Sequence, residues 1–433
     1  MLQKFPFDLL FCIIELLSIK DLTNLSLVNK DYYNIIKKYG FRIYFNSQNW
    51  NILQYPIIYD NDWEGKVKFG FAINKNWNRR KFKPTIIARH RQALMPKIKF
   101  DSAKLICTVG SSLDVSYFSP QDPAKFYKRK NFHVHNNDIT DIIFCCNNRN
   151  HIFTSSVDYT IKRFYLNKNH KNHIHLNELR TFYGHDGIVQ SICQISDKSL
   201  SLISVGTDLK MILWDVETGE KRHTHKIIGK PYIVKNLSCN SHLIGVGNKS
   251  DNHLTLYYVT PTGFVDSRFS INNHNSSVYA LASNQILPNT FVSGCYDGLT
   301  RLFDTRSMEC IASYRDPYDL SPVYSVDYDF HKLASGSYSN GLIRLFDLRY
   351  YKNNMINSLK RGGRLYGDGW SVYLGRSRSP VYSLQMDHSR LYAALDNMTW
   401  MIDFNKNPNN FQYQENYCMN YDHSKKFRIN NIV

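Results

Sequence analysis

The stretch "GHDGIVQSICQISDKSLSLISVGTDLKMILWDV", residues 184–216, decides the fold because its polar residues recur elsewhere at the same spacing. His185 is followed 19 residues later by Ser204, 23 later by Asp208 and 29 later by Trp214. His135 has Thr154, Asp158 and Phe164 at those offsets, and His274 has Ser293, Asp297 and Phe303. Four residue classes at fixed offsets, three times over, mark an internal repeat of about 40–45 residues. Each aromatic sits in a strand-like run: "IKRFYL", "MILWDV", "LTRLFDT". The spacing suits a four-stranded antiparallel blade whose His precedes the innermost strand, with the hydroxyl on the second strand and the Asp on the following turn. There the Asp accepts a hydrogen bond from the imidazole, the imidazole meets the hydroxyl, and the hydroxyl meets an indole N–H. Buried polar groups left unpaired would cost roughly 1–3 kcal/mol each. Only the segment with Trp214 can complete this chain, since Phe164 and Phe303 have no donor.

The pattern resembles the WD40 repeat. Gly184-His185 matches its Gly-His pair and Trp214-Asp215 its Trp-Asp pair, with Phe303-Asp304 and Phe346-Asp347 as weaker versions. Weaker units span 231–259, 323–348 and 381–404, a degenerate first one covers 95 to about 130, and the 323–348 unit has Asp319 where the His would fall. Residues 94–405 divided by about 45 per blade give seven blades. The resemblance thus implies an all-β, seven-bladed WD40 β-propeller. The roles of His135, His185 and His274, with Asp158, Ser204, Asp208, Trp214 and Asp297, are then expected to be structural rather than catalytic.

Ahead of the propeller, "FPFDLLFCIIELLSIKDLTNLSLVNKDYYNIIKKY" reads as three short helices, with Asp21 and Asp31 as expected N-caps. The first is apolar on more than one face. A unit of some 40 residues with neither disulfide nor metal is at the lower limit of independent folding, so its surplus apolar surface is expected to meet a partner. The stretch resembles an F-box through Pro6, Leu9, Leu10, Ile13 and Leu17 at its start and Asp21, Leu22, Leu25, Val28 and Lys30 in its middle, with Tyr33 in place of the usual Trp. Phe5 and Asn29 depart from the pattern without removing the apolar face. An F-box implies docking, through Pro6, Leu9, Leu10, Ile13, Leu17, Leu22, Leu25, Val28 and Tyr33, to the Skp-type linker protein of a cullin–RING ubiquitin ligase.

The expected organisation is an all-α F-box at 4–44, an ordered linker at 45–93 holding Trp50, Trp63 and Trp77, the propeller at 94–405 and a tail at 406–433. "KNWNRRKFK", two "SPVYS" segments at 321–325 and 379–383, and "RLYAALDNMTWMIDFNKNP" resemble the dactylin family of F-box/WD-repeat proteins. That resemblance implies a non-catalytic substrate-recognition subunit of an SCF-type ligase, bound to cullin and RING subunits through the linker protein, without a cofactor.

Composition bounds the alternatives. Fifty-four Lys and Arg against 36 Asp and Glu leave a net charge of +18, so an acidic partner has to be weighed. An abundance of Asn and Lys throughout weakens that inference, and nucleic acid is the less expected partner. The rival from another class is a basic WD40 scaffold in a ribonucleoprotein complex. Nine Cys without a Cys-x-x-Cys specify neither a disulfide framework nor zinc, and point to a reducing compartment, cytoplasmic or nuclear. No window has the roughly 18 apolar residues of a membrane span, and no secretory signal is evident. "GVGNKS" at 245–250 has phosphate-loop residues at the wrong spacing, and His170, His173 and His175 lie in an Asn-rich loop, so neither a nucleotide site nor a metal site is assigned.

A substrate is expected on the propeller's top face, where the residue after each inner strand's anchoring Val or Ile points. These residues are Thr140, Gln190, Lys235, Tyr279, Tyr324 and Tyr382, with Tyr296 before a blade Asp. The substrate surface expected from these positions is Gln190, Lys235, Tyr279, Tyr296, Tyr324 and Tyr382. Tyrosine supplies contact area and a hydroxyl. Phosphate recognition calls for converging Arg, and this ring offers Lys235 alone, so the protein substrate's signal is expected not to depend primarily on phosphate.

Overall fold

The computed structural model describes residues 7–48, 50, 62–90, 95–119, 125–168, 173–195, 201–238, 242–249, 254–260, 263–271, 274, 276–284, 286–316, 319–348, 369–374, 378–405 and 418–420. Helices α1 (Phe7–Leu16), α2 (Ile19–Ser26), α3 (Lys30–Ile35) and α4 (Phe41–Ser47) form the N-terminal unit, with a π-helical turn at Ile36–Gly40 between the last two. The N-caps lie slightly upstream of expectation. Ser18 accepts from the Asp21 N–H and Asn29 from the Tyr32 N–H. Asp21 instead stands at the third helical position, where its carboxylate accepts from the Ser18 hydroxyl at 2.6 Å.

Helix α5 (Trp63–Asn78), capped by Asp62, leads to seven antiparallel sheets. Blade 1 runs from Ile98 to His133, blade 2 from Ile139 to Phe182, blade 3 from Val189 to Lys226 and blade 4 from Pro231 to Ile271. Blade 5 runs from Val278 to Tyr314 and blade 6 from Val323 to Tyr373. Blade 7 takes three strands from Ser383 to Asp403 and its outer strand, Lys83–Arg89, from the other end of the chain. The linker expected at 45–93 is therefore corrected. Phe45 lies inside α4, which runs on to Ser47, α5 fills the middle, and Lys83–Arg89 is propeller, pairing Lys83 with Asp403 and Arg89 with Met398. An unpaired edge on the last blade would leave a row of backbone groups unsatisfied, and the returning segment removes it. The tail contributes Cys418–Asn420 as a fifth strand on blade 6.

The first strand of each blade lines the central axis, and each adjoins the next around the ring, blade 7 meeting blade 1. Side chains stitch these seams. Ser383 and Gln385 accept from the Ile98 and Phe100 N–H groups between blades 7 and 1, and Asp327 accepts from the Met386 N–H between blades 6 and 7.

Leu10, Ile14, Leu22, Ile36, Phe41 and Trp50 share one buried cluster with Trp77 of α5 and with Trp370, Leu384 and Phe404 of blades 6 and 7. The Asn76 amide donates to the Phe404 carbonyl at 2.7 Å, buried. Trp50 stacks on His388 at 5.7 Å. The helices thus cover the propeller at the turns between first and second strands, such as 387–389, which is the end opposite the blade-Asp turns.

Candidate functional site

The blade network has the geometry of its spacing. In blade 3 His185 meets Asp208 through Nδ1 at 3.0 Å and Ser204 through Nε2 at 2.7 Å, and the Trp214 indole N–H donates to the same hydroxyl at 2.8 Å. In blade 2 His135 meets Asp158 at 2.9 Å and Thr154 at 2.7 Å. Burial holds both imidazoles below their usual pKa against the pull of the adjacent carboxylates. Each blade Asp is followed by a left-handed turn residue, with φ of 71° at Tyr159, 61° at Leu209 and 78° at Gly298. In blade 5 His274 meets Ser293 at 2.7 Å. Asp297, expected as an imidazole acceptor, is here the carboxylate of an ion pair with Arg301 at 2.6 Å. In blade 6 Asp319 replaces the His and takes bonds from Ser337 and from buried Arg344, each at 2.9 Å. These polar groups are internally engaged, and among the described residues no three His, Cys, Asp or Glu side chains gather as a metal set.

The N-terminal helices present a surface of their own. Along α1, Leu10 and Ile14 turn inward while Leu9, Cys12 and Leu16 lie on the outer stripe, with Leu16 88% exposed. Leu27 is 82% exposed, and Val28 and Tyr33 extend the patch. Ile13, Leu17 and Leu25 are half-buried at its border. Leu10 and Leu22, counted with the docking face from the sequence, are core residues instead, held in the cluster of Ile14 and Ile36. Pro6 lies outside the described residues. Leu16 and Leu27 were missing from the expected set, although Leu16 follows Leu9 by seven residues and so falls on the same helical stripe.

At the other end, tyrosines converge. Five inner strands share one irregularity, a bulge just after the anchoring residue, at Thr140, Gln190, Tyr232, Tyr279 and Tyr324. The bulge aims the extra side chain at the mouth of the channel. The blade-4 position is therefore Tyr232 and not Lys235. Anchoring by Pro231 rather than by a Val or Ile hid it, and Lys235 stands three residues deeper in the channel. Tyr279 packs against Tyr232 at 4.8 Å, Tyr324 at 5.1 Å and Tyr296 at 5.8 Å. Tyr324 in turn meets Tyr338 at 5.3 Å and Tyr382 at 5.9 Å. Burial raises the pKa of Tyr279, Tyr324 and Tyr382, so their hydroxyls remain donors at neutral pH.

A cavity of about 310 Å³ opens beside this cluster, lined by Met95, Thr140, Gln190, Tyr232, Lys249 and Tyr279. A narrower one of about 90 Å³ lies along the axis between Lys97, Lys99, Asp141, Lys235, Tyr324 and Tyr382. Among the described residues, most of the propeller's exposed large apolar side chains stand at this end, on strand-connecting turns: Met95, Tyr159, Ile228, Tyr296, Leu320 and Tyr338.

The F-box domain profile matches residues 2–44, and the profile of the WD domain, G-beta repeat, matches residues 176–215. The second match runs from the outer strand of blade 2 to the third strand of blade 3, the same offset by which Lys83–Arg89 closes blade 7. Over 124 residues the chain is 33% identical to F-box/WD repeat-containing protein 4 of Mus musculus, covering 28% of this chain and 27% of that protein. Over 153 residues it is 28% identical to Ribosome biogenesis protein YTM1 of Laccaria bicolor, covering 35% and 34%. Over 173 residues it is 28% identical to the Guanine nucleotide-binding protein subunit beta of Zea mays, covering 39% and 34%. The matched stretches span about a third of the length of these curated relatives. The chain thus carries an F-box domain ahead of a seven-bladed propeller with WD-repeat character.

Proposed function

We propose that this protein is the substrate-recognition subunit of an SCF-type cullin–RING ubiquitin ligase. The outer stripe of α1 with Leu27, Val28 and Tyr33 docks a Skp-type linker protein, through which cullin and RING subunits join. The tyrosine-rich mouth of the propeller holds the protein to be ubiquitinated. The chain itself does no chemistry. It raises the local concentration of its client beside the ubiquitin-loaded enzyme, an effect that needs only two occupied surfaces.

The observation that carries this proposal is the exposure of Leu9, Leu16, Leu27 and Val28 on helices whose opposite side already packs into the shared core. Helices serving only to cap the propeller would have no use for a second apolar face, and exposed clusters of this kind mark protein interfaces. Among the described residues no helix is long and apolar enough to cross a membrane, and the proposed place of work is the cytoplasm or nucleus.

The similarity to Ribosome biogenesis protein YTM1 and the net charge of +18 favour a second proposal, a basic scaffold in a ribonucleoprotein particle. Affinity purification of the intact chain separates the two. Cullin and linker subunits in the eluate support the ligase subunit, and RNA with ribosomal proteins in their place overturns it.

A further inference from the structure

Beneath the tyrosines the channel holds an unusual concentration of positive charge. Lys97 and Lys99, two residues apart, point into the lumen from blade 1, and Lys235 faces them from blade 4. Among the described residues none of these three ammonium groups has a hydrogen-bond or ion-pair partner. Two carboxylates share the region, and both are already engaged. Asp141 accepts from the Ser191 hydroxyl at 2.7 Å and the Ile192 N–H at 3.2 Å. Asp327 accepts from the Met386 N–H at 2.8 Å and the Tyr328 N–H at 3.0 Å. Burial, with Lys235 and Lys97 nearby, lowers Lys99 to about 8, and burial lowers Lys97 as well. Like charges gathered out of bulk water repel, and their cost is recovered when an anion joins them.

We propose that this floor binds the free C-terminal carboxylate of a peptide chain whose last side chains lie against Tyr232, Tyr279 and Tyr324. The proposal deepens the substrate surface assigned above and rests on it. Three lysines against two carboxylates leave one uncompensated positive charge, which matches a monoanion. A phosphate would bring nearly two charges, and the planar guanidinium forks that hold phosphate are absent from this lining. A cavity of about 90 Å³ also takes a carboxylate with little chain behind it. A continuous chain would have to enter and leave through the same ring of tyrosines, whereas a chain end passes singly.

The test uses the purified full-length chain and two fluorescent pools of random decapeptides, one with free C-terminal carboxylates and one with C-terminal amides. The free-acid pool should be retained at least tenfold over the amide pool. That preference should vanish in Lys97→Met with Lys99→Met, and also in Lys235→Gln, each with an unchanged melting temperature. Equal retention of both pools, or retention of neither, overturns the carboxylate site. Equal retention that is lost in Tyr279→Ala with Tyr324→Ala removes the carboxylate while leaving the tyrosine surface in place. Preferential retention of an amidated phosphopeptide pool, lost in the lysine variants, would make the floor a dianion site and overturn the proposal too.

Discussion

The Trp77 indole meets the Trp370 indole at a centroid separation of 5.7 Å and an angle of 66°, joining helix α5 to the fourth strand of blade 6. Phe404 closes on Trp77 at 5.0 Å and Phe82 stacks on Trp370 at 5.5 Å. The N-terminal helices and the propeller are held by one apolar interior. The distance between the outer stripe of α1 and the tyrosine mouth is thereby fixed, not averaged over a loose tether.

Trp77→Ala should remove the centre of that junction and cost about 3–5 kcal/mol. The unaltered chain is expected to unfold in one transition, and the variant in two, the helices first. Denaturant titration followed by both circular dichroism and tryptophan fluorescence reads the difference. A single transition at the original midpoint would show that the junction carries no coupling.

Leu16→Asp with Leu27→Asp should leave the melting temperature within a degree or two, since both side chains already face water. Binding to the linker protein should fall by more than a hundredfold, because an unpaired carboxylate in an interface costs about 3–5 kcal/mol. Leu22→Asp serves as the contrast. Buried at 0% exposure, it should melt the N-terminal helices outright. Calorimetry against the purified linker protein checks all three.

Asp208→Ala should destabilise the chain by about 1–3 kcal/mol by taking the acceptor from His185. The same network sets a pH dependence. Burial holds the folded pKa of His135 and His185 below the ordinary value of 6.5, so the unfolded chain binds protons first as pH falls. Stability is complete above about pH 6.5 and declines below it. Urea midpoints measured from pH 7.5 to 5 should fall, and His185→Gln should flatten the slope.

Tyr279→Ala with Tyr324→Ala should abolish client binding yet leave linker-protein affinity unchanged, because the two surfaces lie at opposite ends of the molecule. Client affinity in the unaltered chain should weaken only modestly from 50 to 300 mM salt, since apolar contact is not screened. A steep salt slope with a harmless double variant would point to a nucleic-acid surface instead.

Much of this architecture is legible in the chain because the blade network needs a few residue types at fixed distances. Ser204, Asp208 and Trp214 announce a blade by their separation from His185 alone. The closing strand is not legible, since "KPTIIAR" is an ordinary strand sequence whose partner, Met398–Asp403, lies some 300 residues away. Tyr232 escapes for a similar reason. Its position depends on a bulge in the backbone, and a Pro stands where the anchoring Val or Ile is expected. Lys97 and Lys99 are invisible as a pair with Lys235 until the ring closes and sets blade 1 opposite blade 4. The two sides of α1 are distinguishable only in part, because leucine marks both the buried stripe and the exposed one.

The seventh blade draws its outer strand from residues 83–89 and the rest from 383–403, which gives the ring a bearing on protein synthesis. While a ribosome is still short of Asp403, the early strand has emerged but has nothing to pair with, and the circle stands open by one blade. Blades 6 and 7 also supply Trp370, Leu384 and Phe404 to the cluster that seats the N-terminal helices. A prematurely terminated chain therefore lacks both the closed mouth and the firm seat of its helices, and displays bare strand edges that chaperones and proteases recognise. Both the closed ring and the packed seat of the helices therefore depend on translation reaching the last blade.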